Sequence, residues 1–419
     1  MPKSHDATRA KASSDDPQLK RTLSLPMMVL YGLGTTIGAG IYALLGAVVA
    51  RAGVYAPVSF LVASVLAGLS AMSFAELAAR FPTSAGEARY VREGLRSPAL
   101  ALAVGGLVIF VGIVSSAAVS NGFAGYFHDL TGAPRTVTIA GLVILMFVVA
   151  AWGIGESVLT AGFMTLIEVG GLLLVIWVAR DAPSAPADSA WQLVPPLEMP
   201  VWSGILAGSF LAFFAFIGFE DMVNVAEEVK NAPRVLPIAI GLTLAITLAL
   251  YLTLAYAAVC VVPLAELAAS DAPLALVFTR ATGASGAPIS IIALIATVNG
   301  ALIQIIMAAR VLYGLARQGL LPAPLGRVNP VTRTPLVATV AVAAAVMMLA
   351  LPFETAPLAR FTSLIALTVF AFVNLSLWRL KQRTPRVPGL FSVPRFVPLA
   401  GFCASAGFIG LEAVRLVLH

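Results

Sequence analysis

Apolar runs of about twenty residues recur from one end of this chain to the other, each long enough to cross a hydrocarbon layer of roughly 30 Å as a helix. Eleven can be marked, at 26–50, 57–78, 98–126, 136–152, 159–179, 202–226, 236–262, 287–315, 335–352, 359–379 and 396–417. Inside lipid every backbone polar group must be paired within the protein, so runs of this length have to be helical. The expected fold class is an all-α membrane protein. Composition agrees: 59% of the 419 residues are apolar and 11% are charged, where water-soluble domains carry about 25% charged residues.

The charges sort by side. If the N-terminus is cytoplasmic, 20 of the 26 Lys and Arg fall in the tail and the inner loops, and six remain outside. That asymmetry is the positive-inside pattern. It accounts for the net charge of +6 without nucleic acid as a partner, and the odd count places the C-terminus outside. No cleaved signal peptide is expected, because no short apolar core with a small-residue cleavage site follows the basic tail. Cys260 and Cys403 sit in apolar runs and read as small hydrophobes, not as a disulfide or metal pair.

Two runs are interrupted. The first, "YGLGTTIGAGIYALLG" from Tyr31 to Gly46, breaks around Gly34, Gly38 and Gly40. The sixth reaches Gly218 and then meets Glu220 and Asp221. These runs open two five-helix blocks, and since five is odd, the second block enters the membrane inverted. Paired broken helices at matching places in inverted halves point to a solute site near the midplane. Gly34 and Gly38 also form a GxxxG pattern, whose ordinary meaning is tight helix packing; the matching break in the sixth run favours the cavity reading. The dinucleotide fingerprint is absent, since Ile37 stands where its third glycine belongs.

Several stretches resemble the amino acid–polyamine–organocation transporter superfamily, nearest its cationic-amino-acid-transporter-like bacterial members. They are "GTTIGAGIYALLG" in the first run, "RFPTSAGEARYVREGL" at 80–95, "FFAFIGFEDMVNVAEEVKNAPRVLP" at 213–237 and "MAARVLYGLARQGLLP" at 307–322. The resemblance implies a five-plus-five inverted repeat with helices 1 and 6 broken, in the leucine-transporter-like manner, and alternating access. It divides the chain into a cytoplasmic tail at 1–24, a transporter core at 25–380, and a cytoplasmic loop with one added helix at 381–419. Family members usually have twelve or fourteen spans, more than the eleven marked here.

The expected solute is a zwitterion. N–H groups near Ile37, Gly38, Ala39 and Gly40 stand at a half-helix N-terminus, which carries roughly half a positive charge and suits a carboxylate. Carbonyls near Phe213, Ala215, Phe216 and Ile217 close the opposite half-helix and suit an ammonium. The family carries the same two assignments. For coupling, the resemblance places Glu168 where relatives often hold a lysine in the fifth helix, which is a departure from the pattern. A carboxylate at that depth is costly unless neutralised or paired. It reads as a proton carrier, a sodium ligand, or a structural partner for a neighbouring donor. Secondary candidates are Glu220, Asn299 and Ser115. Glu76 and Arg80, four apart, read as an ion pair.

No HExxH, GxSxG or CxxC occurs, and His5, His128 and His419 lie at or beyond the ends of runs. An intramembrane enzyme, a metal site and a cofactor are therefore not expected. The function expected is secondary active transport of amino acids across the cytoplasmic membrane, by proton symport of neutral amino acids. The alternatives are an exchanger or facilitator without proton coupling, sodium in place of the proton, and a non-transporting amino acid sensor.

Overall fold

A computed structural model describes residues 21–83, 86–152, 158–181, 194–317, 319–332 and 334–418. Most of the tail at 1–24 lies outside them. Fourteen α-helices are described: α1 Leu25–Ala52, α2 Ala56–Arg80, α3 Gly86–Leu95, α4 Pro98–Thr131, α5 Arg135–Trp152, α6 Val158–Ala179, α7 Met199–Phe214, α8 Ala232–Val261, α9 Leu264–Ala269, α10 Pro273–Thr282, α11 Ala287–Arg317, α12 Leu336–Ala350, α13 Thr355–Arg383 and α14 Phe396–Leu418. Among the described residues β pairing is limited to one isolated bridge, Leu23 to Val229.

The chain is a multi-pass, all-α membrane protein. Helices occupy each segment read as a span, and nine described stretches are long and apolar enough to cross a bilayer. Leu25–Gly38 and Leu336–Ala350 are shorter apolar helices, so the expected count of eleven is not settled by length and composition. Local chemistry sets several ends. α4 starts at Ser97–Pro98, where the Ser97 hydroxyl accepts the Leu100 N–H at 3.2 Å and proline uses an N–H that would be orphaned anyway. It stops at Gly132, which turns left-handed at φ 71°.

Three helices, α3, α9 and α10, are too short to be spans and were not anticipated. α3 packs so tightly on α13 that a Cβ at Gly94 would stand 2.5 Å from Ser376 Cα. The expected Glu76–Arg80 pair forms, and the structure adds to it. Lys381 of α13 reaches both Glu76 oxygens at 2.8 and 2.7 Å, and the Val393 N–H donates to Glu76 Oε2 at 2.7 Å. A buried carboxylate surrounded by donors in this way ties α2, α13 and the approach to α14 into one unit. Beside it, Phe74, Phe213, Phe219 and Phe370 meet with ring centroids 5.2 to 5.8 Å apart, mostly edge to face. This aromatic layer joins α2, α7 and α13.

Candidate functional site

The two interruptions are real and they touch. α1 leaves helical geometry at Gly38, with φ −3° and ψ −143°. α7 ends at Phe214, turns through Gly218 at φ 124°, and resumes as a 3-10 segment over Phe219–Glu228. A Cβ at Gly218 would lie 2.2 Å from the Thr35 carbonyl oxygen, and one at Gly40 would lie 2.5 Å from Ala215 Cα. Only glycine permits these approaches, so Gly40 and Gly218 are the places where one broken helix beds into the other. Gly34 is similar, since its Cβ would meet Thr165 Oγ1 of α6 at 2.2 Å. Gly38 differs: an added Cβ would find nothing nearer than Gly300 Cα at 3.9 Å. Of the glycines in the motif, it is the one that leaves room beside the backbone.

Polar groups join the two breaks. The Thr35 hydroxyl stands 2.9 Å from the Gly218 carbonyl. The Tyr251 hydroxyl, from α8, lies 3.1 Å from the Thr36 carbonyl and 3.0 Å from the Ala215 carbonyl. A phenol has one hydrogen to donate. Tyr251 therefore bridges the backbone of both breaks through a single hydroxyl. Among the residues singled out for an ammonium, the Phe213 carbonyl already accepts the Phe216 N–H at 3.0 Å, and Phe216 and Ile217 complete the turn. Sequence reasoning missed Tyr251, a single tyrosine in an apolar run with no motif around it.

Glu168 lies on the wall of the first break and is fully buried. Its Oε1 accepts from Asn299 Nδ2 of α11 at 3.2 Å, so two sequence candidates 131 residues apart are brought together. Glu168 Oε2, Asn299 Oδ1 and Thr36 Oγ1 are buried without a partner. Among the described residues, this hydrogen-bonded pair therefore presents two buried acceptors with no donor opposite them. Its frame is fixed from behind: the Tyr42 hydroxyl donates to the Glu168 carbonyl at 2.8 Å, and the Tyr126 hydroxyl donates to the Tyr42 carbonyl at 2.8 Å. Ser115 is buried on α4; among the described residues no bond joins it to Glu168 or Asn299. Its neighbour Ser116 reaches the Ala301 carbonyl at 3.3 Å.

Glu220 and Asp221 take different roles. Glu220 Oε2 accepts the Gly218 N–H at 2.8 Å and so braces the break. Asp221 Oδ2 accepts from Gln304 of α11 at 2.9 Å. Both line a cavity of about 20 Å³ that also includes Glu87, Val111, Gly112 and Phe370. Among the described residues no group of three or more His, Cys, Asp or Glu is placed to hold a metal ion.

A family model described as amino acid permease matches residues 22–414, nearly the whole chain. The chain belongs to the amino acid permease family. The resemblance drawn from the four motifs is thereby established, and a permease, not an enzyme, is what the family denotes. Relatives include the vacuolar cationic amino acid transporter 2 of Arabidopsis thaliana, 33% identical over 90% of this chain, which spans 62% of that protein's length. The branched-chain amino acid permease BcaP of Bacillus subtilis is 29% identical over 91% of this chain and 86% of its own. A methylthioribose transporter of Bacillus subtilis is 28% identical over 94% of this chain and 89% of its own.

Proposed function

We propose that this permease carries neutral α-amino acids across the cytoplasmic membrane by alternating access, coupled to a proton that Glu168 holds. The observation that carries the coupling is the fully buried Glu168, with Oε2 unpaired and bonded through Oε1 to an amide whose own oxygen is unpaired. A proton on Oε2 supplies the missing donor and cancels the charge. The solute site is the junction of the breaks. The N–H groups after Gly38 take the carboxylate, and the Thr36 and Ala215 carbonyls, released in turn by Tyr251, take the ammonium. Free space beside Gly38 and small or apolar walls support a neutral side chain, as does the name of the branched-chain relative. The basic inner loops support a cytoplasmic N-terminus.

The energetics suffice. One charge crossing 100 mV releases about 2.3 kcal/mol, and tenfold accumulation needs about 1.4 kcal/mol, so one proton supports a gradient on the order of fortyfold. Glu168→Gln keeps the neutral shape and removes the proton. In proteoliposomes loaded with a panel of radiolabelled amino acids, this variant should still exchange internal for external substrate and lose accumulation driven by a pH gradient. Sodium-stimulated uptake in the native protein, lost in the variant, would transfer the role to sodium. Normal proton-driven accumulation by Glu168→Gln rules out Glu168 as the carrier.

A further inference from the structure

The cavity at the α3 end of the bundle holds a second group of carboxylates that coupling at Glu168 does not use. Glu87 of α3 is 3% exposed, lines this cavity, and has no side-chain donor or basic partner among the described residues. Asp221 and Glu220 of the 3-10 segment line the same space. α11 contributes Gln304, which is neutral and already bonded to Asp221. α4 contributes Val108, Val111 and Gly112, and α13 contributes Ala366, Val369 and Phe370, none of them titratable. On α3 itself, buried Tyr90 has an unpaired hydroxyl. Lys381 is engaged with Glu76, Arg383 with the Gly94 carbonyl and Arg89 with Glu93, and Arg92 of α3 is exposed and does not line the cavity. About 20 Å³ admits a water-sized occupant and nothing larger, and the carboxylates are not arranged for a metal.

We propose that Glu87, facing Asp221 across this cavity, is a second proton-binding site, whose protonation holds the 3-10 segment of the broken sixth span against α3 and whose deprotonation releases it. The seam is tight on both sides. A Cβ at Gly86 would stand 2.6 Å from Val223 Cγ2 of the 3-10 segment, so α3 and that segment meet without slack. Glu87, Glu220 and Asp221 meet in this closed space with no cation among the lining residues, and a proton on Glu87 removes its own repulsion with the other two.

The direction with pH follows. Burial pushes the Glu87 carboxyl up from 4.5 to about 8, and the charge of Asp221 pushes it the same way, against the pull of its own backbone N–H. In an opened, hydrated seam the carboxyl returns toward its ordinary value. The closed seam therefore binds the proton more tightly and is favoured at low pH. Its advantage falls as cytoplasmic pH rises from about 4.5 through 8, by up to about tenfold per pH unit for one proton.

The test needs no substrate, so its outcome is independent of the reading of Glu168. Val111→Cys is placed in the full chain, with Cys260→Ala and Cys403→Ala, and inside-out membrane vesicles are treated with a membrane-impermeant maleimide from pH 5.5 to 8.5. The same cysteine in a Glu87→Gln background provides the reference at each pH and cancels the thiol's own ionisation. The ratio of the two labelling rates should climb at least tenfold across the range. Asp221→Asn should move the midpoint to lower pH, because the charge that opposes ionisation of Glu87 is gone. A ratio constant within twofold overturns the proposal. If Glu87→Gln does not reach the membrane, the ratio of labelling in the parent to that in Asp221→Asn at each pH replaces it, and a ratio constant across the range overturns the proposal equally.

Discussion

Gly38 and Gly40 are two residues apart, yet adding one methyl group to each should do different things. At Gly40 the new Cβ would lie 2.5 Å from Ala215 Cα and 2.9 Å from Ala215 Cβ. Carbon atoms rest at about 3.5 to 4.0 Å, so the broken helices must move apart by about 1 to 1.5 Å. The obstacle is backbone, which cannot swing aside. Overpacking of this kind costs about 1–3 kcal/mol, which at 1.4 kcal/mol per tenfold is about 5- to 150-fold in any equilibrium that needs the breaks in contact. Gly40→Ala should lower the melting temperature by a few degrees and weaken amino acid binding together. At Gly38 the methyl meets only Gly300 Cα at 3.9 Å, an ordinary contact, so no neighbour has to move. Gly38→Ala should lose about tenfold or more in affinity, because the methyl occupies the place proposed for the solute carboxylate. The assay is equilibrium binding of tritiated amino acids to purified protein, with thermal unfolding of the same samples. Native affinity in Gly38→Ala refutes the assignment.

Two further outcomes follow from single contacts. Tyr251→Phe removes the hydroxyl shared by the Thr36 and Ala215 carbonyls; leaving a buried acceptor unpaired costs about 1–3 kcal/mol, and melting temperature and affinity should fall together, whereas no change in either shows that the hydroxyl does not hold the breaks. Lys381→Met strips one cation from buried Glu76; breaking such a pair costs about 3–5 kcal/mol, with Arg80 keeping the loss near the lower figure, and Glu76→Gln added to it should restore part of the melting temperature, which a double variant melting still lower would contradict.

Hydropathy and glycine placement made the spans and both interruptions legible in the sequence, because crossing lipid demands long apolar helices and a break demands residues that let the backbone leave them. The same signals marked Gly218, where the sixth run meets Glu220 and Asp221, while Glu168 came from the family resemblance and from the cost of a carboxylate at that depth. What they did not carry was which face of each span meets which neighbour. Spans apolar on nearly every side have no amphipathic stripe to show their rotation. Only the tertiary structure brought Asn299 to Glu168, set Tyr251 over both breaks, closed Lys381 onto Glu76 across 305 residues, and turned Glu87 of an unanticipated short helix toward Asp221. It also separated the glycines of the motif, since Gly40 faces a backbone and Gly38 faces space, and two residues with no side chain are alike in sequence until their neighbours are known.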